Sequence, residues 1–170
     1  MKCFFSLMVL AAFSLTAYSQ NAASPAASVS AKIASGANIT ISYSSPGVKG
    51  RQIWGGLVPY DKVWRAGANK ATIVETDKDI EVGGKTIPAG KYSLYAIPRE
   101  GNWTIILNSA TGQWGINRDG STTEDPAKDV VRVDVKPEKA SEFAERLTYA
   151  VEPNGISLTW ENLKVTLPMK

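Results

Sequence analysis

Apolar and polar residues alternate along much of this chain. Ile39, Ile41 and Tyr43 alternate with Thr40, Ser42 and Ser44, and Tyr92, Leu94 and Ala96 with Ser93, Tyr95 and Ile97. The pattern recurs at Trp103–Leu107, Val131–Val135, Ile156–Trp160 and Leu163–Leu167. Period two carried by β-branched and aromatic residues is the signature of strands with one face buried. Between Trp160 and Leu163 the phase slips by one, which predicts a bulge or tight turn. Turn residues separate the runs at Val82-Gly83-Gly84-Lys85, Pro88-Ala89-Gly90 and Arg99-Glu100-Gly101-Asn102. Residues 112–129 are polar and poor in apolar residues after Ile116, and read as a surface loop. One stretch supports two readings. Ala140, Phe143, Ala144 and Leu147 have helical spacing over 138–147, with Glu142 four before Arg146, while 143–151 also reads as a strand. The expected fold is all-β, an antiparallel β-sandwich of short strands with little helix. A membrane barrel would need strands of about 9–11 residues with one lipophilic face, and these runs are shorter.

The N-terminus departs from this pattern. A basic start at Lys2, an apolar run from Cys3 to Ala17 and small residues at Ala17 and Ser19 form the layout of a secretory signal peptide. Cleavage is expected before Gln20. The resulting organisation is a signal peptide over 1–19, a flexible Ala/Ser-rich leader over 20–30 and a single domain over 31–170. Localisation is then the periplasm or the exterior, with no membrane span after cleavage. Removing 19 of 170 residues leaves 151, enough for one core without covalent staples. The basic and acidic counts fall from 19 and 16 to 18 and 16, a net charge of +2. The signs are interspersed, so nucleic acid is not an expected partner.

Composition limits the chemistry. The chain has no histidine, and its one cysteine, Cys3, leaves with the signal peptide. That excludes disulfides, thiolate nucleophiles, zinc–thiolate sites and Ser-His-Asp triads. Phosphate-binding glycine loops and Gly-x-Ser-x-Gly elbows are also missing. Carboxylate, Lys, Tyr or Arg chemistry remains. Asp77, Asp79 and Glu81 alternate and would share a face in a strand, but they read as a charged hairpin flank. The 119–125 stretch offers oxygen ligands without the alternating acids of a calcium loop. No metal or cofactor is expected. Asn38 and Asn102 sit in glycosylation sequons, which matter only in a eukaryotic secretory pathway.

One segment, 43–69, breaks the period. It holds two of the five tryptophans, two arginines and five glycines. Arg and Trp recognise anions, sugars and rings through forked hydrogen bonds and stacking. Arg51, Trp54, Tyr60, Trp64, Arg65 and Asn69 are therefore the candidate ligand-binding residues, with Trp114 as a neighbour. In the competing reading the tryptophans plug the core and the arginines tie loop carbonyls together.

The run Gly50-Arg51, Leu57-Val58-Pro59-Tyr60 and Trp64-Arg65-Ala66-Gly67-Ala68-Asn69 resembles the signature of the bacterial family called domain of unknown function 2911. Ile87-Pro88-Ala89-Gly90-Lys91-Tyr92-Ser93-Leu94, Trp103-Thr104 and Gln113-Trp114-Gly115 are similar to it too. The resemblance implies an exported protein of the kind found in Bacteroidetes-like bacteria, and implies no activity. Members often carry Arg before the first Pro, where this chain has Ser45. The expected function is a non-enzymatic binding or envelope-associated module for a small anionic or sugar-like ligand. The alternatives are a carboxylate- or Tyr-based hydrolase or lyase of polysaccharide or peptidoglycan, and a purely structural periplasmic protein.

Overall fold

A computed structural model describes residues 23–170, and the expected signal peptide lies outside them. The fold is all-β and antiparallel, with 55% of the described residues in strands and β-bridges and 2% in helix. The strands are β1 (Ala26–Lys32), β2 (Asn38–Ser44), β3 (Thr72–Thr76), β4 (Ile80–Val82), β5 (Lys85–Ile87), β6 (Gly90–Ile97), β7 (Trp103–Asn108), β8 (Asp129–Val135), β9 (Glu138–Glu152) and β10 (Gly155–Pro168). Six of them form one sheet in the order β1-β2-β3-β6-β7-β8. The long β9–β10 ribbon packs against it, and β4–β5 is a separate small hairpin. Among the described residues no helix is long and apolar enough to cross a membrane.

Alternation places the core as expected. Ile39 and Ile41 of β2, Leu94 and Ala96 of β6, and Trp103, Ile105 and Leu107 of β7 meet Leu147, Tyr149, Ile156, Leu158 and Trp160 of the ribbon in one apolar cluster. Tyr95 and Ile106, one position out of phase, form a second cluster with Ala71 on the opposite face of the sheet. All six residues of β7 are buried, so this central strand is covered on both sides. The Gly83-Gly84 tip has positive φ at both residues (59° and 78°), which matches the twist of the flanking β4 and β5.

The phase slip in the last strand is a bulge. The β9–β10 register shifts on both sides of Glu161, whose φ is +56°. Before it, Ile156, Leu158 and Trp160 face the core; after it, Val165 and Leu167 do. The bulge lets one long strand keep its apolar residues inward through a bend.

One open reading is decided and one expectation is corrected. Residues 138–147 are not helical but form the first two-thirds of β9, paired with β10 through Glu161↔Ala144, Leu163↔Lys139 and Lys164↔Glu138. Helical spacing would bury Phe143 beside Leu147. In the strand Leu147 is buried and Phe143 is 56% exposed, because pairing with β10 satisfies the backbone and overrides local preference. The leader also ends earlier than expected. Ala26–Ser30 belong to β1, paired with β2 from Ala26↔Ser44 to Lys32↔Asn38. Ala and Ser give this edge strand no hydrophobic period, and the backbone ladder plus Val29 against the core hold it in place.

Candidate ligand-binding cleft

Residues 45–71 link β2 to β3 without a strand of their own, and backbone contacts to the sandwich hold them. The Trp64 and Ala96 amides exchange hydrogen bonds of 2.7 and 2.9 Å. Leu147 N–H donates to the Pro46 carbonyl at 3.0 Å, and the buried Ser45 hydroxyl donates to the Leu147 carbonyl at 2.7 Å. Ser45 therefore anchors the segment and leaves the following Pro46 to face the cleft described below. Ala66 sits at φ +50°, a strained value for a residue with a Cβ. Two buried hydroxyls pin its carbonyl, Thr72 at 2.9 Å and Tyr149 at 2.7 Å. Burial pushes the Tyr149 phenol well above its ordinary pKa, so it remains a donor. This clamp fixes the direction of Trp64 and Arg65.

A cleft of about 820 Å³ opens between this segment and the loop over 115–122. That volume lies within the usual range of small-ligand sites. Trp64 and the buried Trp160 contribute to its wall, with Arg51, Lys62 and Arg65 bringing positive charge. Trp64 stacks on Trp160 with centroids 6.0 Å apart and an interplanar angle of 19°. Behind them Trp54 meets Trp64, Trp160 and Trp103 edge-on at 5.8, 5.6 and 4.7 Å. The indole N–H of Trp64 donates to the Gly67 carbonyl at 3.2 Å and that of Trp103 to the Arg99 carbonyl at 3.1 Å. The indole nitrogens of Trp54 and Trp160 are buried without a protein acceptor.

The seven expected site residues divide. Arg51, Trp64 and Arg65 line the cleft. Trp54 is 8% exposed and belongs to the core, as the competing reading held for both tryptophans of the segment. Tyr60 packs on the core edge with its ring against Gly55. Asn69 is not in the lining, its side-chain amide donating to the carbonyl of Ser24, a lining residue, and to the Ser44 hydroxyl at 3.3 and 3.2 Å. Trp114 is 52% exposed and lies beside the cleft, with the Arg65 guanidinium 5.9 Å from its ring centroid. Period-two logic could not separate these fates, because the segment lacks a period.

Both arginines also tie carbonyls, as the competing reading expected. Arg51 donates from Nε to Val48 at 3.1 Å and from Nη2 to Gly47 at 2.6 Å. Arg65 donates from Nη1 to Trp114 at 3.2 Å. Among the described residues no carboxylate lies within 4.0 Å of Arg51, Lys62 or Arg65. The one acidic side chain of the lining, Asp61, is held by Arg99 at 3.2 Å. The lining is therefore electropositive, and partial burial lowers the Arg65 pKa from its ordinary value.

Residues outside the expected set complete the cleft. Lys62 lies within the aperiodic segment, whereas Trp160 had only a strand signal and the 115–122 wall only a loop signal. Gly115 allows the close approach of that wall, since a Cβ there would strike the Arg65 Cβ at 2.6 Å. The acidic groups considered above are engaged elsewhere. Asp77 accepts from Asn38 N–H, Asp79 from Ala89 N–H, and Asp119 from Ser121. Among the described residues no three His, Cys, Asp or Glu side chains come together as metal ligands.

Fold and site define an all-β sandwich with an electropositive, tryptophan-walled cleft. The chain belongs to the family described as Protein of unknown function (DUF2911), which matches residues 24–169. No curated protein and no solved structure matches it.

Proposed function

We propose that this is an exported, non-enzymatic binding module whose cleft takes a small anionic or sugar-like ligand. The observation that carries the reading is that Arg51, Lys62 and Arg65 line one cleft with no carboxylate within 4.0 Å of them among the described residues. Uncompensated cations beside low-dielectric walls attract an anion more strongly than the same charges in water. The N-terminal layout of basic start, apolar run and small residues supports export. A hydrolytic reading gains no support from the cleft, where one carboxylate lies in an ion pair and a two-carboxylate mechanism needs a second.

A thermal-shift screen of the mature protein against organic acids, phosphates and mono- and oligosaccharides tests this. A ligand that binds the native state raises the midpoint, and an Arg51→Gln, Arg65→Gln double variant is expected to lose the shift. A shift undiminished in that variant would place binding outside the cleft and refute the reading.

A further inference from the structure

The chemistry of the lining narrows the ligand class. Among the described residues the lining has no Asn, Gln or Glu, and its one Asp is occupied by Arg99. Two of its three hydroxyls are engaged: Ser121 donates to Asp119 at 2.6 Å, and the Thr122 oxygen accepts from Glu124 N–H at 3.0 Å, leaving that of Ser24. The Gly67 carbonyl accepts from the Trp64 indole. Sugar recognition needs several side-chain acceptors for hydroxyl protons, and here they are few: one ion-paired carboxylate and the Ser24 hydroxyl. Donors are in surplus: Arg51 keeps Nη1, Arg65 keeps Nε and Nη2, and Lys62 keeps its ammonium free of protein partners among the described residues.

The rim supplies a second observation. The described residues include four strongly exposed large hydrophobics, Leu57, Trp114, Ile116 and Phe143. Leu57 and Ile116 line the cleft, and Trp114 stands against Arg65 beside it. Apolar exposure collected around one cleft marks a surface that expects an apolar partner.

Resting on the reading that the cleft binds a ligand, we propose that this ligand is a free amphiphilic acid, a carboxylate carried on an apolar chain or ring, and not a sugar. The carboxylate lies among Arg51, Lys62 and Arg65, where forked and point-charge donors meet its two oxygens. The apolar body lies along Leu57, Trp64 and Ile116.

Matched compounds test the proposal. Octanoate, 1-octanol, 4-phenylbutyrate, 4-phenyl-1-butanol, glucuronate and glucose are titrated into protein labelled with ¹⁵N at tryptophan, and the indole signals of Trp64 and Trp114 are followed. The two amphiphilic acids are expected to shift these signals with affinities at least tenfold above their alcohols. Lys62→Gln and Arg65→Gln should weaken the acids at least fivefold more than the alcohols. If glucose or glucuronate binds in the cleft more tightly than octanoate, the ligand class is wrong while the cleft remains a binding site. If none of the six moves either signal and the broad screen is also blank, both readings fall. Binding to phosphatidylglycerol vesicles without response to the free acids would overturn the proposal in favour of a membrane surface.

Discussion

Arg51 and Arg65 should separate a binding site from a structural belt by their effects on stability. Replacing Arg51 by Ala removes two charge-assisted donors from buried carbonyls, Gly47 at 2.6 Å and Val48 at 3.1 Å. Val48 keeps the Arg51 backbone N–H at 3.0 Å, so one carbonyl loses its only side-chain donor and the other retains a partner. The guanidinium is partly solvated and water can replace it in part, so the expected loss is about 1–2 kcal/mol. Arg65→Ala removes one 3.2 Å bond at an exposed carbonyl and a cation–ring contact at 5.9 Å. Each contributes about 0.5–1 kcal/mol at an exposed position. Against that, the substitution relieves repulsion among three unneutralised cations and the cost of partly burying one of them. The expected net loss is below about 1 kcal/mol, because binding sites often hold functional residues at the expense of stability. Denaturant unfolding of the mature protein without ligand measures both, with the slope against denaturant expected unchanged. Thermal midpoints should fall by roughly 2–4 °C per kcal/mol for a domain of this size. If Arg65→Ala costs more than about 2.5 kcal/mol and no ligand raises the wild-type midpoint, the segment is architecture and the site argument fails.

Two further outcomes follow from the fold. Glu124 is buried beside Asp129, and its carboxyl is raised above the ordinary 4.5, by burial first and then by Asp129, with Arg132 opposing. A carboxyl whose pKa rises on folding binds its proton more tightly in the native state, so stability falls as pH climbs from about 4.5 through the folded pKa. Glu124→Gln removes that fall and should stabilise more at pH 7 than at pH 4; equal gains at both would refute the assignment. At the tip of the β9–β10 ribbon Gly155 has φ +144°, and a Cβ there would strike the Leu167 carbonyl. Gly155→Ala should cost about 3 kcal/mol or more by denaturant unfolding, and a loss under 1 kcal/mol would show that the ribbon end yields easily.

Where burial is one-sided, the fold was legible in the sequence. β2, β8 and β10 announce themselves because a strand with one buried face must alternate, and the Glu161 bulge shows as a break in that rhythm, while β6 and β7, covered on both faces, are legible from their aromatic and β-branched content. The absence of His from the whole chain, and of Cys after position 3, excludes whole mechanisms without any coordinates. β1 gave no such sign, because small Ala and Ser side chains contribute little burial and a backbone ladder has no sequence signature. β9 read two ways, because only pairing with β10 decides whether Phe143 turns in or out.

The site divides along the same line. Composition alone marked 43–69 as unusual, and three of its candidates do meet at one cleft. That Trp54 sits behind Trp64, that Asn69 faces Ser24, and that Trp160 and the 115–122 loop supply the opposite wall follow from contacts between residues as many as 106 positions apart. A local pattern reports which side of its own strand a residue occupies. Which distant side chains share a cavity is set by the packing of the ribbon on the sheet, and that is a property of the tertiary structure alone.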